Sequence, residues 1–212
     1  MTTTSHAQPV SPFFSIWIKP RETIRGIVKT DVKKHVLLLA MLAGISTALS
    51  SASSGNLGDY LPLISILAIC IFLGPVIGII FLYLFGVIFR WTGGWLGGKA
   101  SFEVIRAAFA WSSIPSIFVL PLWIPRLLFF GEELFTTAKP SMSANPLSVI
   151  ILLVFSVANI WSFVLLVTCM SEVLKFSAWK AFGAIILGLL VIFISLLFIG
   201  FCGVIILLVF AG

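Results

Sequence analysis

The side chains that could carry chemistry are few, and most lie where packing explains them. The chain has 212 residues, with three cysteines, two histidines and seven acidic residues. Cys70, Cys169 and Cys202 all lie within apolar runs, where a small polarizable side chain packs well and the spacing favours neither a disulfide framework nor a metal site. The histidines, His6 and His35, both lie near the amino end. The sequence therefore predicts no catalytic, cofactor-binding or metal-binding residue, and a protein that is not an enzyme.

A glycine-rich segment has the composition of a phosphate-binding loop but not its spacing. Its glycines are Gly93, Gly94, Gly97 and Gly98. A nucleotide-binding loop requires Ser or Thr directly after its Lys, but Lys99 is followed by Ala100. No strand is predicted before the segment, as such a loop also requires. We interpret the segment as a tight turn at the membrane interface, with Trp91 and Trp95 at headgroup depth.

The composition excludes an ordinary soluble domain. Hydrophobic residues make up 60% of the chain and charged residues only 9%, whereas soluble proteins carry about 25% charged residues. The mean hydropathy is +1.22. We attribute the net charge of +6 to the excess of Lys and Arg that orients membrane proteins in the bilayer. No nucleic-acid partner is therefore expected.

Five apolar runs, each about long enough to cross a bilayer, predict an all-α integral membrane protein with five transmembrane helices. The runs cover about 36–52, 61–89, 104–120 with a continuation toward 130, 147–170 and 183–210. The second run would exceed about 40 Å as a helix, so we expect it either to tilt or to break, with the break at Gly74-Pro75. Prolines at 115, 121 and 125 interrupt the third run, and the sequence leaves open whether residues 121–130 are helical or re-entrant.

An amphipathic segment precedes the spans. We divide the chain into a disordered amino terminus at 1–11, an amphipathic interfacial segment at 12–34 and a five-span membrane domain at 35–212. Within the segment 12–34, Ile24 and Ile27 lie on one helical face, which we expect to be buried in the membrane surface. A basic stripe follows the edge of that face. The residues expected to contact anionic lipid or a protein partner are Trp17, Arg21, Arg25 and Lys29.

Positive charge is distributed unequally between the two sides of the predicted bundle. Eleven of the 13 Lys and Arg residues lie on one side and two, Arg126 and Lys139, on the other. This imbalance predicts a multi-pass protein of the cell membrane with its amino terminus in the cytoplasm and its carboxyl terminus outside. The eleven are Lys19, Arg21, Arg25, Lys29, Lys33, Lys34, Arg90, Lys99, Arg106, Lys175 and Lys180.

Polar and small residues near the spans suggest helix contacts. Gly74 and Gly78 form a small-residue face on the second span, suited to packing within the chain, although a homo-oligomer or a partner helix stays open. Asn159, Ser162 and Thr168 could form hydrogen bonds with neighbouring helices, the alternative being the lining of a transport path.

The charged residues beside the spans need partners, because charge at membrane depth is costly. We expect Glu172, close in sequence to Lys175, to form a structural ion pair that ties span ends together, with Arg106 as its other candidate partner. An ion or proton site at Glu172 is the alternative.

Several short segments occur in a fixed order along the chain. They are Phe13-Phe14-x-Ile16-Trp17-x-x-Pro20-Arg21-x-Thr23-Ile24-Arg25, then Gly93-Gly94-x-x-Gly97-Gly98-Lys99-x-Ser101-Phe102, then Arg106, Pro115 and Trp161, and finally Glu172-Val173-x-x-Phe176-Ser177-x-x-Lys180-Ala181. In this order they resemble the Yip family, the Ypt/Rab-interacting membrane proteins, and in particular its bacterial branch. The resemblance implies a five-span membrane fold and, for eukaryotic relatives, a role with Rab GTPases in vesicle traffic. For a bacterial member it implies the fold more than an activity.

Two functions remain for a protein of this kind. The first is a non-catalytic membrane scaffold or accessory protein that associates with another membrane complex, such as an exporter, or organises lipid locally. The alternative is a small permease or channel, which the interrupted third span favours and the scarcity of intramembrane charge disfavours.

Overall fold

The computed structural model describes residues 12–138 and 145–211, with side chains described as far as residue 202. The predicted disordered segment 1–11 lies outside the described residues. All regular elements in the described part are helical. They are α1 Pro12–Ile18, α2 Pro20–Thr30, α3 Val36–Ser54, α4 Leu63–Trp95, α5 Phe102–Ser112, α6 Ile114–Phe118, α7 Trp123–Phe130, α8 Pro146–Leu174 and α9 Ala178–Ala211, with short 3-10 turns at Leu57–Asp59, Leu120–Leu122 and Gly131–Phe135.

Five helical segments of the described chain are long and apolar enough to cross a membrane. They are Val36–Ser54, Leu63–Trp95, Phe102–Phe135, Pro146–Leu174 and Ala178–Cys202. The prediction of an all-α integral membrane protein with five spans is therefore confirmed. The third span consists of α5, α6 and α7 together with the 3-10 turns, so it is the only one of the five assembled from several short helices.

The predicted break at Gly74-Pro75 is wrong, because α4 continues through Pro75 as one helix of 33 residues. Pro75 removes one backbone donor, a loss that membrane helices tolerate. The helix lies in close backbone contact with α3 along this stretch. A Cβ atom added at Gly78 would overlap the carbonyl oxygen of Ala40, and one added at Gly74 would lie 2.9 Å from the Cα of Ile45. Gly74 and Gly78 thus form the expected small-residue face, and α3 occupies it.

The extra length of the second span is accommodated at one end. At about 1.5 Å per residue, α4 with 33 residues is about 20 Å longer than α3 with 19. The contacts of Gly74 and Gly78 align α3 with the first two thirds of α4. The last turns of α4 therefore extend past the start of α3, toward the end of α8, where Gly93 meets Leu174.

The helix of the third span is interrupted at Ser113, shortly before Pro115, and the fourth span supplies a hydrogen-bond acceptor for the backbone there. The backbone N–H of Ser116 donates to Oγ of Ser162 at 3.2 Å, and the two hydroxyls lie 2.9 Å apart. The Ser116 hydroxyl also donates to Oδ1 of Asn159 at 3.4 Å. Ser162 and Asn159 thus bond to a neighbouring helix as expected, whereas the Thr168 hydroxyl donates to the Val164 carbonyl of its own helix.

Residues 121–130, whose conformation the sequence leaves open, are helical. They comprise the end of a 3-10 turn and the whole of α7. Trp123 of this segment is 3% exposed and stacks on Phe135, with Phe155 of α8 meeting its ring edge at 5.7 Å between centroids. The segment therefore belongs to an apolar core at the end of the bundle opposite the amino-terminal helices.

The contact between α3 and α4 gives the first testable prediction. Gly78→Ala should destabilise the protein by about 1–3 kcal/mol, the usual cost of overpacking, because its new methyl group meets the backbone of Ala40. The measurement is the midpoint of thermal unfolding in a mild detergent.

Gly94→Ala in the same helix is the matched control. A Cβ atom added at Gly94 meets nothing within 4 Å, and Ala favours helix over Gly by up to about 1 kcal/mol, so its midpoint should stay unchanged or rise. Equal losses for both variants would show that close packing of α3 on α4 is not the cause.

Candidate functional site

The two amino-terminal helices form a hairpin that packs on the bundle. Ile16 of α1 and Ile24 of α2 are 0% exposed and Ile27 is 6% exposed. The hydroxyl of Thr23 donates to Oγ of Ser15 at 2.9 Å and joins the two helices. The apolar face of α2 packs on α8 and α5. We call the end of the bundle where this hairpin sits, with the start of α3 and the ends of α4 and α8, the hairpin end.

The burial of the hairpin departs from the expectation that its apolar face inserts into lipid. Ile24 and Ile27 are covered by the protein's own spans. Trp17 is half-buried, and its ring meets that of Phe118 edge-on, with 5.7 Å between centroids. An amphipathic pattern indicates that one face of a helix packs against an apolar surface. The pattern does not show whether that surface is a membrane or a helix bundle.

A carboxylate of the fourth span fixes the hairpin in place. Nε of Arg25 donates to Oε1 of Glu172 at 3.0 Å, and Nζ of Lys175 donates to the same oxygen at 2.7 Å. The Glu172 side chain is 11% exposed, whereas Arg25 and Lys175 are 53% and 74% exposed. We call these three residues the Glu172 clamp. The hydrogen bond to Glu172, with the charge of its carboxylate, raises the pKa of Arg25, so the guanidinium stays ionised in this contact.

Local geometry places the clamp at the end of α8. Lys175 follows the last residue of the helix and adopts a left-handed conformation with φ of 58°. Its backbone N–H closes the helix on the carbonyl of Glu172, and its side chain folds back to the carboxylate. The positive charge near the carboxyl end of the helix also complements the helix dipole.

Arg106 does not pair with Glu172, contrary to the expected ion pair. Its guanidinium lies over the rings of Tyr83 and Phe102, at 4.5 and 4.7 Å from their centroids. Gly86 makes this arrangement possible, because a Cβ atom there would lie 2.8 Å from Cγ of Arg106 and 2.9 Å from the Phe102 ring. Arg106 is therefore held against α4, whereas Glu172 is turned toward α2.

The glycine-rich segment forms a turn at the hairpin end. The N–H of Gly98 donates to the carbonyl of Gly93 at 2.8 Å. Gly97 has a φ of 90°, a backbone conformation that glycine adopts more readily than other residues. Gly93 and Gly98 both lie against the side chain of Leu174, two residues after Glu172, whereas Gly94 faces open space. The segment is thus a tight turn that ends α4 beside the clamp.

The remaining predicted contact residues stay on the surface of the hairpin end. Arg21 and Lys29 of α2 are exposed, as are Trp91 and Trp95 of α4, at 61% and 65%. Pro115 is buried in α6, next to the interruption of the third span. No group of three or more His, Cys, Asp or Glu side chains that could hold a metal ion occurs in the described part of the chain. What this arrangement can do is present a fixed basic and aromatic surface.

Some of these contacts lay beyond sequence reasoning. Arg25 and Glu172 are 147 residues apart, and Lys33 pairs with Glu103 at 3.2 Å. The position of Glu172 at the end of an apolar run indicates that it needs a cation. Nothing in one sequence selects that cation from the many on the same side.

The Glu172 clamp gives the second prediction. Arg25→Gln and Glu172→Gln should each speed hydrogen exchange in residues 20–30, because the hairpin loses the contact that holds it on α8. The double variant should exchange little faster than either single one, since both substitutions remove the same interaction. Exchange is measured by mass spectrometry on the whole protein in detergent.

Lys19→Gln is the control for this cycle. Lys19, which immediately precedes α2, pairs with Glu22 of α2 at 3.5 Å, with both side chains more than half exposed, and such pairs contribute little. Exchange in α2 should stay at the wild-type rate. Strict additivity of Arg25→Gln and Glu172→Gln would mean that the two residues do not interact in solution.

The comparison with known proteins agrees with this architecture. The model of the Yip1 domain matches residues 14–210, a range that includes all of the hairpin except the first two residues of α1 and all five spans. No curated protein and no solved structure matches the chain. Because the family match covers nearly all of the 212 residues, the chain belongs to the Yip1-domain family of multi-pass membrane proteins.

Proposed function

We propose that this protein is a non-catalytic membrane scaffold or accessory protein, which associates with another membrane complex, such as an exporter, through its hairpin end. The observation that carries the proposal is the Glu172 clamp. It fixes the hairpin on the bundle, so that the exposed face of α2 has a defined position relative to the spans. A surface that is fixed before binding loses less entropy on association than a mobile tether.

The composition of the hairpin end supports binding rather than chemistry. Its exposed residues combine the cations Arg21 and Lys29 with large aromatic side chains, Trp91, Trp95 and Trp179. Tryptophan and arginine are the residue types that dominate binding energy at protein interfaces, and tryptophan also anchors proteins at the membrane interface. A partner with an acidic surface at the membrane fits this combination.

The permease alternative gains no support from the polar groups in the third and fourth spans. The Ser116 hydroxyl is hydrogen-bonded to Ser162 and Asn159, and the Asn159 amide also donates to the carbonyl of Phe155 in its own helix. Ser162 accepts a hydrogen bond from the backbone N–H of Ser116, where the helix of the third span is interrupted, so a structural role explains the cluster.

The orientation of the protein is part of the proposal. The hairpin end carries most of the Lys and Arg residues of the chain, and the other side has only Arg126 and Lys139, of which Lys139 lies outside the described residues. By the positive-inside rule, the hairpin end faces the cytoplasm of a cell membrane and the carboxyl terminus lies outside.

Affinity purification tests the proposed association. The wild-type protein, extracted in a mild detergent, should bring a membrane protein complex in fixed stoichiometry. Arg21→Gln/Lys29→Gln should weaken the affinity for the partner about thirtyfold, as expected for two lost charges at about 1 kcal/mol each near an acidic surface, and should lower the recovered amount accordingly. The exchange rate of α2 should not change, since neither residue belongs to the Glu172 clamp.

Glu132→Gln is the control for this purification, because Glu132 is exposed in the turn at the opposite end of the bundle. Its partner recovery should equal that of the wild type. Equal recovery for the hairpin double variant and the wild type would contradict association through the basic face of α2.

A reporter fusion tests the orientation. An enzyme that is active only outside the cytoplasm, fused after Gly212, should be active, and a tag placed before Met1 should be protected from protease in intact cells. An inactive carboxyl-terminal reporter would mean that the hairpin end faces outward or that the number of spans crossed is even.

A further inference from the structure

A cavity of about 210 Å³ opens between the start of α3, the middle of α4 and the start of α5. Its lining includes Lys33, Leu37, Tyr83, Glu103 and Arg106. We propose that this cavity binds the phosphate group of an anionic phospholipid, with Arg106 as the principal contact. The site is separate from the basic face of α2 and does not depend on the proposed partner complex.

Arg106 is the main reason for the proposal. Its Nε atom is buried without a hydrogen-bond partner in the described part of the chain. The rings of Tyr83 and Phe102 contact the guanidinium group at 4.5 and 4.7 Å, and such stacking satisfies the charge but not the N–H groups, which point outward in the plane of the group. A buried donor without an acceptor costs free energy. An arginine whose plane is fixed in this way is suited to a bidentate phosphate contact.

The charges around the cavity match a single negative charge. The Glu103 carboxylate, one turn before Arg106 on α5, pairs instead with Nζ of Lys33 at 3.2 Å. The lining therefore holds two cations and one carboxylate, a net charge of +1. A phosphodiester carries one negative charge, so it balances this lining. A zwitterionic headgroup carries a positive group in addition to its phosphate, so it fits this positively charged lining less well.

The surroundings favour a lipid over a soluble anion. Leu37 at the cavity is 50% exposed, and Met41, one turn further along α3, is 37% exposed. Tyr83 on α4 is 44% exposed, and Ile80, one turn from it toward the core of the span, is 55% exposed. Residues three or four apart lie on one helical face, so an apolar surface leads from the cavity along both spans. An acyl chain can cover this surface while its phosphate meets Arg106.

The test titrates the purified protein in a neutral detergent with phosphatidylglycerol, phosphatidylcholine and inorganic phosphate. Binding is followed by the shift in the midpoint of thermal unfolding. Phosphatidylglycerol should bind more tightly than phosphatidylcholine, and inorganic phosphate should give no shift at the same concentration. Arg106→Gln should weaken phosphatidylglycerol binding at least about tenfold, the effect of one charge-assisted hydrogen bond.

Lys180→Gln is the matched control. Lys180 is also a cation over an aromatic ring, with Nζ 4.5 Å from the centroid of Phe176, but it is exposed and lies outside this cavity. Its loss lowers the net charge of the protein by the same amount, and phosphatidylglycerol affinity should stay at the wild-type value. An equal loss for Lys180→Gln and Arg106→Gln would show that only total charge matters, which contradicts a defined site.

Two exposed neighbours keep the proposal testable if Arg106→Gln does not fold. Lys33 and Glu103 are 71% and 46% exposed, so their substitution should not disturb the core. Lys33→Gln should weaken phosphatidylglycerol binding about threefold and Glu103→Gln should strengthen it about threefold, since each changes one charge beside the phosphate. The proposal is overturned by unchanged affinity in both variants, by equal affinity for the two lipids, or by an equal shift with inorganic phosphate.

Discussion

The structure depends on one largely buried carboxylate at the end of the fourth span. Glu172 is 11% exposed, and a charge in such a place is stable only with hydrogen-bonded cations around it. Lys175 supplies one from the same chain segment, and Arg25 supplies the other from α2. Arg25 meets Glu172 where the hairpin docks, and the same docking makes Ile16, Ile24 and Ile27 part of the bundle core.

The features that could be predicted from the sequence are those set by apolar length and helical period. Five spans follow from runs of apolar residues, and the helix at 20–30 follows from the spacing of Ile24 and Ile27. The small-residue face of Gly74 and Gly78 is also local information. By contrast, the continuity of α4 through Pro75 depends on α3, whose backbone lies against that stretch of helix. Proline alone therefore predicts a break at Pro75, a position where α4 is continuous and lies against α3.

The candidate site shows the same limit more strongly. The sequence identifies Glu172 and Arg106 as charges that need an explanation, and it offers Lys175 and Arg106 as partners of Glu172. The structure confirms Lys175, adds Arg25 as the second partner, and places Arg106 over the rings of Tyr83 and Phe102. Which cation reaches a carboxylate is decided by how the helices pack, and residues 147 positions apart share no local signal. The same packing explains why Arg106 keeps a buried donor that can serve a ligand.

The central claim is that the hairpin is a fixed part of the membrane domain. The most direct measurement is pulsed electron paramagnetic resonance on the protein in lipid nanodiscs, with spin labels at Lys29→Cys in α2 and Lys180→Cys in α9 on a background without the native cysteines. Both positions are exposed and lie outside the Glu172 clamp. The structure predicts one narrow distance distribution that broadens when Glu172→Gln is added. A broad distribution in the protein with Glu172 intact would contradict the claim and make the hairpin a mobile tether.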